Sequence, residues 1–369
     1  MGETKLTARA RSRSRWTAVA LALLIATVVV LVVSVIKGGG SKHARSQATL
    51  VGASHEAVVG APPWFAPYVD LTVSTVPRFQ DVTANPSRRV VLGFILAGAH
   101  EPCTPTWGGL STLDQAGTVN TWISQAQAAD EQVLVSFGGA KGSDLAVGCG
   151  DPTQLQGAYQ AVVDRYNLST IDLDVEGPAS LNSAVGARRA QAIAAVQRAR
   201  AAAGKPLAVW LTLTVSPSGL EPAGVAALQQ MLEAGVKVAG VNVLAFDYGP
   251  LGGQTLLGAS ESALTRTAAQ VQSMYRTHNI STGHDGVWPQ LGATIMEGRT
   301  DTAGQVWNIS DARALYAFAR AHQLGRLSEW SLGRDRACSG APSQPSDSCS
   351  GVSQRPLEFS ENLLGSDAP

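Results

Sequence analysis

Thr170-Ile-Asp-Leu-Asp-Val-Glu-Gly177 sets three acids, Asp172, Asp174 and Glu176, at alternate positions, with Ile171, Leu173 and Val175 between them. In a strand, the two-residue period sends the three carboxyls to one face and the three aliphatic side chains to the other. Folding alone would avoid such a face, because neighbouring carboxylates raise one another's pKa and are costly to desolvate. Acid–base chemistry or a metal ion would explain it. No Asn/Asp-rich ligand loop of the kind that calcium or magnesium prefers accompanies the run, which favours acid–base chemistry.

Outward from this run the pattern repeats. Short apolar stretches predict strands over residues 65–73, 90–97, 132–139, 207–215, 240–248, 290–296 and 327–332, with the acidic run as the fourth of eight. Longer Ala- and Gln-rich stretches predict helices over 113–129, 152–166, 184–203, 222–234, 260–277 and 311–322, the last opened by Ser310 as an N-cap. Eight strands alternating with helices match an α/β fold of the (β/α)8 TIM-barrel type. An open doubly wound sheet is the competitor. No Gly-rich dinucleotide fingerprint follows the first strand, and chemistry-bearing residues recur at many strand ends, so the closed barrel is expected, with its site at the C-terminal ends of the strands.

Lys+Arg 28 against Asp+Glu 28 gives no net charge and no electrostatic grip on nucleic acid. The charge is unevenly placed. Residues 1–15 hold Lys5, Arg9, Arg11, Arg13 and Arg15 against Glu3, and an uncharged apolar stretch follows from Trp16 to Ile36. That length suits a membrane-spanning helix better than a cleaved signal peptide. The organisation expected is a basic cytoplasmic tail (1–15), a transmembrane signal-anchor (16–36), a flexible linker (37–60) and a barrel (61–369) held outside the cytoplasm as a single-pass protein. Cys103, Cys149, Cys338 and Cys349 form an even set without a C-x-x-C pair, which speaks against zinc and for disulfides. Of the three possible pairings, Cys103–Cys149 and Cys338–Cys349 each join loops that the strand order brings near one another.

The acidic run resembles the D-G-x-D-x-D-x-E signature of glycoside hydrolase family 18, the chitinases and their relatives. Ser136-Phe-Gly-Gly139 is similar to the family's S-x-G-G on the third strand, Leu244-Ala-Phe-Asp-Tyr-Gly249 falls where the sixth strand carries substrate contacts, and Trp330 resembles the eighth-strand tryptophan that floors the sugar subsite. The segments 103–109, 334–338 and 349–354 look like a bacterial, exported branch. The sequence departs from the pattern at Ser169 and Thr170, which stand for the leading Asp and Gly, at Leu244 for Met, and at Phe246 for a Tyr whose hydroxyl would contact the reacting acetamido group. Tyr248 is a possible substitute.

The resemblance implies a retaining, substrate-assisted glycosidase acting on chitin or another glycan containing N-acetylglucosamine, without cofactor or metal and with no protein partner evident. In that reading Glu176 is the general acid, its pKa raised by burial, Asp174 orients the acetamido group, and Asp172 shares a proton with Asp174. Asp247, Tyr248, Trp330, Ser136, Gly138 and Gly139 are the expected substrate-binding residues. The alternatives are a lectin that holds such glycans without turnover, and an endo-N-acetylglucosaminidase acting on cell-wall or glycoprotein glycans. Glu297 reads as a surface residue.

Overall fold

Ile171, Leu173 and Val175 are fully buried among the side chains of the surrounding helices, while Asp172 and Asp174 on the opposite face are equally buried inside a closed sheet. The computed structural model describes residues 62–71, 87–340 and 344–365. They belong to one unit spanning 57–369. The expected tail, anchor and linker (1–60) lie outside the described residues; among those described, no helix is long and apolar enough to cross a membrane.

The sheet is an eight-stranded parallel barrel. Its first strand, β1, is in two pieces, Trp64–Phe65 and Tyr68–Asp70. The others are β2 (Arg89–Ala97), β3 (Gln132–Gly138), β4 (Thr170–Val175), β5 (Ala208–Ser216), β6 (Val238–Leu244), β7 (Leu291–Met296) and β8 (Arg326–Trp330). Neighbours pair in sequence order from β2 to β8. The two pieces of β1 close the ring, Trp64–Phe65 on β8 and Tyr68–Asp70 on β2. The break falls at Ala66-Pro67, where proline offers no N–H to a ladder. An expected single strand over 65–73 is therefore corrected to two short ones.

The helices α1 (Gly117–Ala128), α2 (Pro152–Arg165), α3 (Ser183–Ala202), α4 (Pro222–Glu233), α5 (Leu256–Thr277), α6 (Ile309–His322) and α7 (Glu358–Leu364) each follow a strand, from β2 to β8 in turn. Their starts are chemically marked: Asp151, Asn182 and Thr255 each accept a backbone N–H of the first turn. Helix α6 begins two residues earlier than its pattern predicts. Asn308, not Ser310, is the N-cap, locked in a capping box with Asp311.

Both disulfides form as expected, Cys103–Cys149 and Cys338–Cys349. The first bridges 46 residues and ties the loop after β2 to the loop after β3. Replacing both of its cysteines by alanine is expected to lower unfolding free energy by about 4 kcal/mol, mainly by freeing the unfolded chain. Denaturant unfolding of the variant checks this, and a change under 1 kcal/mol would contradict it.

Glu297 is not at the surface. It is fully buried behind β7 and β8 with Glu329, Arg334 and Asp335, and burial raises the pKa of all three acids. The sequence hides this because Arg334, 3.7 Å from Glu297, arrives from a later loop.

Candidate active site

Asp172 lies at the bottom of the site and is wired in completely. Ser136 Oγ (2.7 Å) and Tyr68 Oη (2.9 Å) donate to its Oδ2, while Thr212 Oγ1 (2.7 Å) and Arg326 Nη1 (2.9 Å) donate to its Oδ1. Both ions of the Arg326–Asp172 pair are wholly inaccessible to solvent. The guanidinium also donates to Ser328 and to the Tyr68 hydroxyl, and its Cζ stands 5.2 Å and 5.4 Å from the ring centres of Trp64 and Trp210. A buried ion pair is tolerable only when its remaining polar atoms are satisfied in this way. Among the described residues no hydrogen bond links Asp172 to Asp174, whose shared proton the resemblance implies; the oxygens of Asp172 are engaged by these four donors instead.

Asp174, two residues on, is treated oppositely. It is almost fully buried, and its Oδ1 has no hydrogen-bond partner. Burial, then the charges of Glu176 and Asp172, push its pKa well above the usual carboxylate range, with Arg326 opposing. Ser136 pairs in register with Asp172, and Gly138 with Asp174. A Cβ at Gly138 would stand 2.1 Å from the Asp174 carbonyl oxygen, at a φ of +103°, so only glycine fits there. The next amide, of Gly139, donates to that carbonyl at 2.9 Å.

Glu176 follows the end of β4 and precedes a short helix, Gly177–Ser180. Gly177 turns the chain at a φ of +72°, and Ser180 anchors the turn by donating to Asp144, which also pairs with the buried Arg189 at 3.0 Å. This holds the Glu176 backbone while its carboxyl faces the cavity. Burial first, and the charge of Asp247 second, raise its pKa from 4.5 to about 7.

The cavity, about 220 Å³, is lined by Asp174, Glu176, Asp247 and Trp330, together with Tyr68, Phe94, Leu244, Phe246, Thr294, Met296 and others. Trp330 is half-buried and stacks on Phe94, ring centres 5.4 Å apart at 22°. Asp247 sits at a φ of +53° and accepts the Thr302 N–H at 2.7 Å. The larger groove lined by Pro217, Glu261 and Arg266 holds none of these residues.

Of the expected residues, Asp174, Glu176, Asp247 and Trp330 come together in one cavity. Five others do not line it, Asp172 among them, held below it by its four donors. Tyr248 is buried, its hydroxyl against Ser260 of α5, because the left-handed turn at Asp247 swings it outward. It cannot stand in for the hydroxyl missing at Phe246. Ser136 is buried beneath the acids as a donor to Asp172, and Gly138 and Gly139 shape the wall without being among its lining residues. Arg326 and Thr294 are not singled out by the sequence as site residues. Thr294 Oγ1 accepts from Asn242 at 2.8 Å, and among the described residues its own proton is donated to no partner. Their common signal was weak: polar residues on the interior-facing positions of otherwise apolar strands. Among the described residues, no group of three or more His, Cys, Asp or Glu side chains is arranged to hold a metal ion.

No family model matches the chain. Over 280 residues it is 31% identical to a probable bifunctional chitinase/lysozyme of Escherichia coli (strain K12), covering 73% of this chain and 31% of that protein. It is likewise 31% identical over 280 residues to Endochitinase 11 of Metarhizium anisopliae, covering 73% of this chain and 52% of that one. The chain thus spans only about a third to a half of the length of these curated relatives. Its fold is similar to that of active domain 2 of a chitinase from Pyrococcus furiosus, with a TM-score of 0.72 and 24% identity, covering 83% of this chain and 95% of the other. That domain has also been solved with chito-oligosaccharides.

Proposed function

We propose that this chain, a chitinase-like protein of the glycoside hydrolase family 18 type, hydrolyses β-1,4 linkages between N-acetylglucosamine units with retention of configuration. The observation that carries the reading is the meeting of Glu176, Asp174, Asp247 and Trp330 in one cavity, with Asp174 and Glu176 both pushed upward in pKa.

Glycosidic cleavage needs a proton on the leaving oxygen and stabilisation of positive charge at the anomeric carbon. Glu176, half-protonated near pH 7, supplies the proton. The carbonyl oxygen of the substrate's own acetamido group attacks the anomeric carbon as the bond to the leaving sugar breaks, closing a cyclic oxazolinium ion. Asp174, whose Oδ1 has no hydrogen-bond partner among the described residues, accepts the acetamido N–H. Water then opens the ring, giving its proton to the Glu176 carboxylate. Trp330 offers a flat apolar face to the sugar ring. Asp172 takes no proton in this scheme; it fixes Arg326, whose charge limits how far the Asp174 pKa rises. Thr294 and Asp247 are the remaining polar contacts proposed for the acetamido group.

The charge state of Glu176 gives a pH dependence. Its pKa is raised from 4.5 to about 7, so the proton-donating form holds below that value and is lost above it. The kcat/KM of the chain is expected to fall about tenfold per unit above pH 7. In Asp247→Asn, which removes the second cause of the shift, the falling limb moves to lower pH. A flat profile between about pH 6 and 9 would contradict the assignment.

One observation favours a lectin as the second reading: Leu244 and Phe246 line the cavity without the hydroxyl expected there. Assaying the chain on chromogenic chito-oligosaccharides separates the two. Turnover supports the hydrolase; tight binding without turnover at any pH supports the lectin. We further propose that the protein is anchored by its residues 16–36 with the barrel outside the cytoplasm. The two disulfides support this compartment, and protease accessibility of the barrel on intact cells tests it.

A further inference from the structure

Among the described residues the cavity is lined by six carboxyl groups, those of Asp70, Asp174, Glu176, Asp247, Asp301 and Asp347, against the one amino group of Lys141. The hydrolytic reading employs Asp174, Glu176 and Asp247. Asp70, Asp301 and Asp347 are left over, and the last two stand on loops that are held in place. The Arg334 guanidinium donates to the backbone carbonyls of Glu297, Arg299 and Ser346, which clamps together the loop after β7 and the loop closed by Cys338–Cys349. Those two loops carry Asp301 and Asp347. Both side chains are exposed and make no hydrogen bond or salt bridge among the described residues, while the charges of Arg334 and Lys141 reach Asp301 from a greater distance. Deeper in the cavity, the buried Oδ1 of Asp174 is likewise without a partner.

Fixed carboxylates around a cleft with low-dielectric walls focus a negative potential into it. A neutral acetamido sugar is indifferent to that potential, an ammonium group is drawn to it, and a sugar bearing a carboxylate is repelled. We infer that the cleft selects partly deacetylated chains, in which a sugar beside the cleaved unit carries a free amine against Asp301 and Asp347, over fully acetylated chains and over acidic glycans. This rests on the reading of the cavity as a hydrolase for N-acetylglucosamine polymers, since the cleaved unit itself must keep its acetyl group to supply the attacking oxygen. It separates the candidate substrates by charge: wall glycans whose sugars carry lactyl carboxylates become the poorest.

The test uses the full chain carrying Glu176→Gln, so that binding is read without cleavage. Calorimetric titration compares three probes of equal length: a fully acetylated chito-oligosaccharide, one with a glucosamine next to a central N-acetylglucosamine, and one with a carboxylate-bearing muramyl unit. At low salt the amine-bearing probe is expected to bind about tenfold tighter than the acetylated one, as summed exposed charge pairs allow. The muramyl probe binds weakest, and the preference shrinks at about 0.5 M NaCl. Adding Asp301→Asn and Asp347→Asn, with the fold checked by circular dichroism, removes most of the preference. Equal affinity for the amine-bearing and acetylated probes overturns the inference, as does a preference that survives the two asparagines. Turnover of the acetylated probe by the parent chain reports separately on the hydrolase reading. Turnover without amine preference sinks only the charge inference, and amine preference without turnover sinks only the hydrolysis.

Discussion

Glu176→Gln is expected to lower kcat on chito-oligosaccharides about a thousandfold, the scale of losing a positioned general acid. Glutamine keeps the shape and the apolar contacts of the side chain, so the affinity for intact oligosaccharide remains close to that of the parent. The same substitution carries a stability signature. Burial and the Asp247 charge raise the Glu176 pKa in the folded chain from 4.5 to about 7, so folding favours the protonated carboxyl. That contribution is fully present below the unfolded value of 4.5 and is lost as pH rises through about 7. The parent therefore loses up to about 3 kcal/mol across this window relative to a neutral residue. Glu176→Gln should be more stable than the parent at pH 8 and no more stable at pH 4. Denaturant unfolding at the two pH values measures it. Full activity in the glutamine variant would remove Glu176 from the chemistry, and a stability difference independent of pH would remove the burial argument.

Arg326→Met is the second large effect. It leaves the Asp172 carboxylate sealed inside the barrel with only the Tyr68, Ser136 and Thr212 hydroxyls as donors. Removing one partner of a buried ion pair costs about 3–5 kcal/mol, because the other charge stays uncompensated. Much of the remaining activity should vanish too, since Arg326 opposes the rise of the Asp174 pKa. Pairing Arg326→Met with Asp172→Asn removes both charges and should recover most of the lost stability, although not the electrostatics around Asp174. A single variant within 1 kcal/mol of the parent, or a double variant no better than the single, would show that the pair is not what holds the acidic strand in place.

The parts of this molecule that follow from local periodicity were legible in the sequence. The two-residue alternation of Asp172, Asp174 and Glu176 is a property of one strand, and the strand–helix alternation of neighbouring segments. What the sequence hid were partnerships across the barrel. Arg326 meets Asp172 from 154 residues away and Tyr68 from 258, and no local pattern marks either contact. Without that arginine in view, the acidic face reads as three interacting carboxylates that have only one another as partners. Tyr248 lies off the cavity because the expected strand over 240–248 ends early. The strand stops at Leu244, and the positive φ at Asp247 breaks the parity that would have turned the ring inward. Ser136 lies on the interior face, one layer below the substrate-binding position that the resemblance implies. In a barrel the residues below the mouth stack beneath the site, and only their register with β4 tells the layers apart. Glu297 reads as a surface residue because its cation lies in a loop that sequence order does not bring near it.

The central claim is that the acetamido group of the substrate acts as nucleophile while Asp174 and Glu176 serve it. The configuration of the first-formed product tests this most directly. Proton NMR of the anomeric signals, recorded during hydrolysis of a chito-oligosaccharide before mutarotation, should show the β-anomer appearing first. An initial α-anomer would mean direct attack by water and would contradict the account.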